Sequence, residues 1–271
     1  MSLIVNEKTH RIGSTLATNE IRLDMATPFS FKNKEIALNH QTIYYSWFNI
    51  TTAYNNRTFS YKYNGTTYPV NMPEGFYLIG DINNYLELTM FTNNHYVLDS
   101  DSNPVYFLKL VENPTYYRVT LTANVISVPS GGSNPNTLVT GSTMQLIVPN
   151  TGFATVIGFS AGNYPTTPSV SNYSVNGDSI PIISQVSSVL VGTNISNNDM
   201  NQYRDVISIF TPDNTFGSLL KVENKNLVWY PVFDSSYSSI SVFFYDQDHR
   251  PLQLIDKSSC VVNLIFRDRQ K

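Results

Sequence analysis

Across most of this chain the apolar residues come in short runs rather than at helical spacing. "TIYYSWFNIT" (42–51) is dense in β-branched and aromatic side chains, which pack well on a pleated surface. "FSYKYNGTTYPV" (59–70) is two such runs around Asn64–Gly65, a dipeptide that supplies the positive φ angles of a tight hairpin. One stretch breaks the pattern. In "GDINNYLELTMF" (80–91), Ile82, Tyr85, Leu86 and Met90 fall on one face of a helix, and Asp81 is placed to cap it. Residues 93–108 contain "DSDSN" and Pro104 and predict a turn between strands.

Strand patterns then continue to the end. "YYRVTLTANVISV" (116–128), "STMQLIVP" (142–149), "ATVIGFS" (154–160), the region 182–196 and "DVISIFTP" (205–212) each read as a strand. "SLLKVENKNLVWYPV" (218–232) reads as two strands, and residues 238–267 as a closing hairpin around "DQDHR". Loops such as "SGGSNPN" and "AGNYPTTPSVSN" separate them. Strands without βαβ alternation predict an all-β sandwich, with one short helix. Residues 1–35 show no sustained period and read as an extended N-terminal arm, which leaves 36–271 as the body.

Composition narrows the function. The chain is 271 residues long, 41% hydrophobic and only 14% charged, with 13% aromatics and a net charge of −3. Neutral polar groups cost less to desolvate than ions, so such a surface suits a protein largely covered by neighbours. No Lys/Arg run offers a footprint for phosphates, so no direct nucleic-acid site is evident. The ending "FRDRQK" reads as a solvated tail. The single Cys260 rules out an internal disulfide and reads as a buried small hydrophobe. No run of about 18 apolar residues predicts a membrane segment. "MSLIVNEKTHRIG" lacks the apolar core of a signal peptide, so the chain is expected to be made inside a cell. The sequons at Asn49, Asn56, Asn64, Asn172 and Asn194 are then chance matches.

Three clusters are candidates for chemistry. "GFSAG" (158–162) matches the nucleophile elbow of α/β-hydrolases, with Ser160 as nucleophile and His249 downstream. A strand is expected before it, but Pro165 and Pro168 forbid the helix that should follow. Asp246, Asp248 and His249 offer oxygen and imidazole ligands, yet their composition is that of a hairpin tip, and His10, His40 and His95 are scattered. "DSDSN" (99–103) lacks the glycine and the distal acidic residue of a calcium loop. The residues therefore predict no catalytic, cofactor-binding or metal site, and no enzyme.

Five phrases in series are familiar: "GFYLIGDINNYLELTM", "MQLIVPNTGFATVIGFSAGNYP", "IPIISQVSSVLVGTNISNN", "VISIFTPDNTFGSLLKVENKNLVWYPV" and "SISVFFYDQDHRPLQLIDKSSCVVNLIF". Their order and spacing resemble the penton, or minor capsid, proteins of Polinton/Maverick elements, polinton-like viruses and virophages, over roughly residues 42–266. The resemblance implies a single jelly roll assembled as a homopentamer at the five-fold vertex of an icosahedral virion. Its partners would be a double-jelly-roll major capsid protein and, beyond it, other minor capsid proteins. It implies no catalytic residue. Some relatives carry an inserted domain; this chain has room for only a small insertion, within residues 111–179. The arm is then expected along the inner face of the shell, held by Leu3, Ile4, Val5, Ile21, Leu23 and Met25. The alternative is a carbohydrate- or receptor-binding jelly roll such as a fibre or turret head. Exposed Trp or Tyr clusters would favour it, whereas Trp47 and Trp229 sit in strand-like runs and read as core.

Overall fold

The computed structural model describes residues 1–9, 16–199 and 202–270. It divides into two compact units, one made of Met1–Trp47 and Val186–Lys271, the other of Phe48–Gln185. The chain enters the first unit with β1 (Ser2–Asn6), β2 (Glu20–Phe31) and β3 (Lys34–Tyr44). The second unit follows. It contains β4 (Thr58–Tyr63), β5 (Thr66–Asn71), α1 (Ile79–Thr92), β6 (Val97–Leu98), β7 (Pro104–Val105), β8 (Leu108–Asn113) and β9 (Arg118–Ala123). It ends with β10 (Gln145–Val148), α2 (Gly152–Ile157), β11 (Gly162–Tyr164) and β12 (Tyr173–Asn176). The chain then returns to the first unit with β13 (Val189–Thr193), β14 (Val206–Phe210), β15 (Leu219–Glu223), β16 (Tyr230–Pro231), β17 (Ser235–Tyr245) and β18 (Val261–Asp268).

The first unit is a jelly roll. Its sheets run β1-β18-β3-β15, with β16 continuing along the same edge of β3, and β14-β13-β17-β2. Counted along this unit, the first strand pairs with the last, the second with the seventh, the third with the sixth and the fourth with the fifth, all antiparallel. That nesting is the eight-stranded double Greek key. Its core follows from period-two alternation. On β18, Val262, Leu264 and Phe266 are buried while their neighbours are half-exposed. Phe31 of β2 stacks on Phe266 at 4.9 Å, tying one sheet to the other.

The residues expected to form an arm are therefore strands. β1 and β2 are the edge strands of the two sheets. An edge strand loses alternation because one rim faces water: on β2 only Glu20, Ile21 and Phe31 are buried, and residues 26–30 are exposed. Pro28 is tolerated there because an edge leaves its missing N–H without consequence. At the other terminus, residues 266–268 of the expected tail complete β18, and Arg267 bonds Glu35 at 2.8 Å.

The inserted unit is larger than expected and begins earlier, at Phe48 rather than within 111–179. Its strands carry the same apolar patterning as the jelly roll, so composition does not mark the boundary. It holds the sheets β11-β10-β4-β5 and β12-β9-β8 and the short ladder β6-β7. Ile82, Leu86 and Met90 of α1 are fully buried in its core, beside Phe59, Tyr61, Leu121, Leu146 and Phe153. Asp81 is not the cap but the third helical residue, and its Oδ2 accepts the Leu78 N–H at 2.9 Å. Where 154–160 predicts a strand, the chain forms α2. Thr151 caps it by accepting the Phe153 N–H, and Gly158, at φ 73°, ends it in the left-handed conformation. Phe153, Val156 and Ile157 are its buried face, a run too short for periodicity to separate helix from strand.

Candidate functional site

The hairpin tip resolves into two separate arrangements. Asp246 is fully buried, and its Oδ1 accepts the backbone N–H groups of Asp248 and Arg250, each at 2.9 Å. Its Oδ2 accepts Arg250 Nε at 2.7 Å, and Arg250 Nη2 reaches Asp248 at 2.8 Å. The carboxylate thus organises the turn, as acidic side chains do in such loops. His249, at φ 59°, points elsewhere. Its ring lies between Tyr203 and Tyr245, with centroids 4.0 Å away on each side, and Nε2 is 3.2 Å from Asp205 Oδ1. The Tyr245 hydroxyl also bonds Asp205, and burial followed by that carboxylate pushes its pKa well above the usual phenol range. Gly192 leaves room for this cluster, since a Cβ there would meet Asp205 Oδ2 at 2.7 Å and Tyr245 Cε2 at 3.1 Å.

Asp246 and His249 therefore face different partners. Among the described residues no three His, Cys, Asp or Glu side chains come together to hold a metal ion. Asp205 and Tyr203 escaped the sequence reading because no linear spacing announces them: Asp205 stands 44 residues before His249.

Ser160 is exposed and follows a helix rather than the strand an elbow requires. Its N–H donates to Asp178 Oδ2 at 2.8 Å, and its side chain also bonds that carboxylate. These bonds hold the Asp178 pKa below the usual range, which makes it a weak base. Ser160 belongs to the inserted unit and His249 to the jelly roll.

The other candidates have structural partners. Asp99 Oδ1 accepts the N–H groups of Asp101 and Asn103, which closes the "DSDSN" turn. His95 is buried among Tyr61, Tyr63 and Tyr68. Asn93 donates to the Tyr61 hydroxyl at 3.0 Å, and that hydroxyl shares a hydrogen bond with His95 Nδ1 at 2.8 Å. Burial lowers the His95 pKa and raises that of Tyr61 to about 12. The Cys260 thiol is buried and pushed up to about 12, which leaves it unreactive. His40 lies on β3 between Glu223 and Asn263, and His10 falls outside the described residues. Trp47 is core, stacked on Tyr45 at 4.4 Å, but Trp229 is only half-buried beneath the Arg267 guanidinium.

What the jelly roll does present is the outer strands of its two sheets: β14 and β2 on one sheet, β1 and β15–β16 on the other. Apolar side chains stand exposed along them, Ile209 of β14 at 59% and Ile4 of β1 at 54%, as does Val228 at 59% in the segment joining β15 to β16. A hollow of about 310 Å³ lies between β14 and the segment 224–230, lined by Ile207, Ile209, Val228 and Tyr230. Exposed apolar side chains along sheet edges favour association. No described helix is long and apolar enough to cross a membrane.

No protein-family model matches the sequence. No curated protein is significantly similar to it. Among solved structures, the chain shares the fold of the mavirus penton protein, with a TM-score of 0.51 and 8% identity over 98% of each chain. A chain in a structure of the Sputnik virophage aligns over 99% of this chain and 97% of its own, with 12% identity and a TM-score of 0.39.

Proposed function

We propose that this chain is a structural protein of a virus capsid, and that it forms the vertices of an icosahedral shell as a homopentamer set among double-jelly-roll major capsid proteins. The observation that carries the reading is the fold shared with a penton protein over 98% of both chains, a span that includes the inserted unit as well as the jelly roll. The surface supports it. A cyclic ring uses a heterologous contact, in which one side of each subunit meets the opposite side of the next. The jelly roll offers two such sides, β14 with β15–β16 and β1 with β2, both carrying exposed apolar residues. Low charge and many aromatics suit surfaces that become interface cores. In this reading the protein acts by shape and contact in the virion, without catalysis, after synthesis inside the host cell.

Native mass spectrometry of the purified chain, alone and co-expressed with the major capsid protein of its virus, tests the proposal. A complex of five 30.6 kDa chains is expected. A protein that stays monomeric in both preparations, and is missing from five-fold positions in particle images, rejects it.

A further inference from the structure

The hairpin joining β8 to β9 presents two adjacent tyrosines to solvent, Tyr116 at 64% and Tyr117 at 75% exposure. Aromatic rings are among the largest apolar contributors to a core, and here that contribution goes unused. Tyr117 is also held at φ 50°, a left-handed conformation that bulky residues rarely adopt. Glycine or asparagine would hold the same turn with less strain. Strain of this kind concentrates at functional positions.

Tyr117 forms one wall of a hollow of about 240 Å³ that lies entirely within the inserted unit. The rest of the lining is mostly apolar: Ile79 at the start of α1, Pro114 at the hairpin tip, and Ile180, Pro181 and Ile183. Glu112, Asn113 and Arg118 complete it. Asn113 commits Nδ2 to Thr120 and Asn176, which leaves Oδ1 to accept. Arg118 commits Nη1 to the Tyr117 carbonyl, and its other donors have no partner among the described residues. The exposed Glu112 carboxylate has no ion-pair partner among the described residues.

We infer that this hollow is a binding site for a single neutral sugar ring, stacked on Tyr117 and held by Glu112, Asn113 and Arg118. One carboxylate and one guanidinium balance each other, so the hollow has no net charge to recruit an ion. A pyranose has an apolar C–H face that suits an aromatic wall, and hydroxyls that both donate and accept toward a carboxylate, an amide oxygen and a guanidinium. The volume lies below the roughly 300–1,000 Å³ of pockets that take drug-sized ligands, so it admits one ring and neither a helix nor a long peptide. The inference stands on the inserted unit alone and holds whether or not the chain forms pentamers.

Saturation-transfer difference NMR on the full chain, with methyl glycosides of glucose, galactose, mannose and N-acetylglucosamine at millimolar concentration, is the test. Transfer from the protein to the C–H face of at least one glycoside is expected. Tyr117→Asn keeps a residue that tolerates the left-handed turn but removes the ring, and should weaken binding at least about tenfold, a change of about 1.4 kcal/mol. Glu112→Gln should weaken it without altering the fold, and Tyr116→Asn, outside the lining, should leave it intact. No transfer to any of the four glycosides overturns the inference. So does equal loss in the Tyr116 and Tyr117 variants, or binding of a proline-rich peptide with no binding of sugar.

Discussion

Removing residues 1–31 is the sharpest perturbation of this fold, because it takes out β1 and β2 together. β1 makes five register pairs with β18, and β2 makes eight with β17. Val5, Ile21 and Phe31 are at most 1% exposed. Full burial of such side chains contributes about 1.5–3 kcal/mol each, or roughly 5–9 kcal/mol for the three. That figure omits the ladder hydrogen bonds and the neighbours left facing water, among them Ile240, Val242, Val262 and Leu264, all fully buried in the intact chain. A domain's entire stability is about 5–15 kcal/mol. The truncated jelly roll should therefore unfold, while the inserted unit, whose core is drawn wholly from residues 48–185, stays folded. Hydrogen exchange read by mass spectrometry checks this. Amides of β13, β17 and β18 should exchange at unfolded rates, and those of α1 and β9 should keep their protection. If β17 and β18 stay within about tenfold of their protection in the intact chain, a difference near 1.4 kcal/mol, the first 31 residues are a dispensable appendage and the reasoning fails.

Two further outcomes concern the inserted unit. Leu86→Ala, at a fully buried position on α1, should destabilise that unit by about 2–5 kcal/mol in thermal or urea unfolding, and an unchanged midpoint would place this helix face outside the core. His95 titrates below its unfolded value of about 6.5 because it is buried, so the stability that depends on its neutral form is complete above that pH and is lost as the pH falls toward the lowered folded value. Unfolding midpoints should fall between about pH 7 and pH 5, and fall less in His95→Gln; an identical decline in both proteins would assign the effect to other groups.

Where a segment is buried on one face along its whole length, the pattern is plain in the sequence. α1 is legible from Ile82, Leu86 and Met90, and the closing strands from Val262, Leu264 and Phe266. The all-β jelly roll expected from the series of phrases is the fold found. β1 and β2 were not legible, because an edge strand with an exposed rim carries no alternation. α2 was hidden by its length of six residues, and its cap depends on a Thr151 rotamer that composition does not reveal. The cluster around His249 was half visible: the turn residues are local, but Asp205 and Tyr203 arrive from another strand connection. The hollow beside Tyr117 gathers residues from α1, the β8–β9 hairpin and the segment 180–183, so no single stretch of sequence announces it.

The pairing of the first strand with the last has a consequence for the order of synthesis. The Met1 amino group donates to the Phe266 carbonyl, 265 residues away along the chain. A nascent jelly roll cannot close until β18 has emerged from the ribosome, so β1 and β2 wait without their partners β18 and β17 while residues 48–185 are made. Residues 48–185 emerge as a contiguous stretch before β13–β18 and can fold while the chain is still growing, as domains generally do. The jelly roll therefore closes late, after the unit inserted between its third and fourth strands has been made. A product that stops before β17 and β18, even one with a well-folded insert, leaves β1 and β2 without their partners.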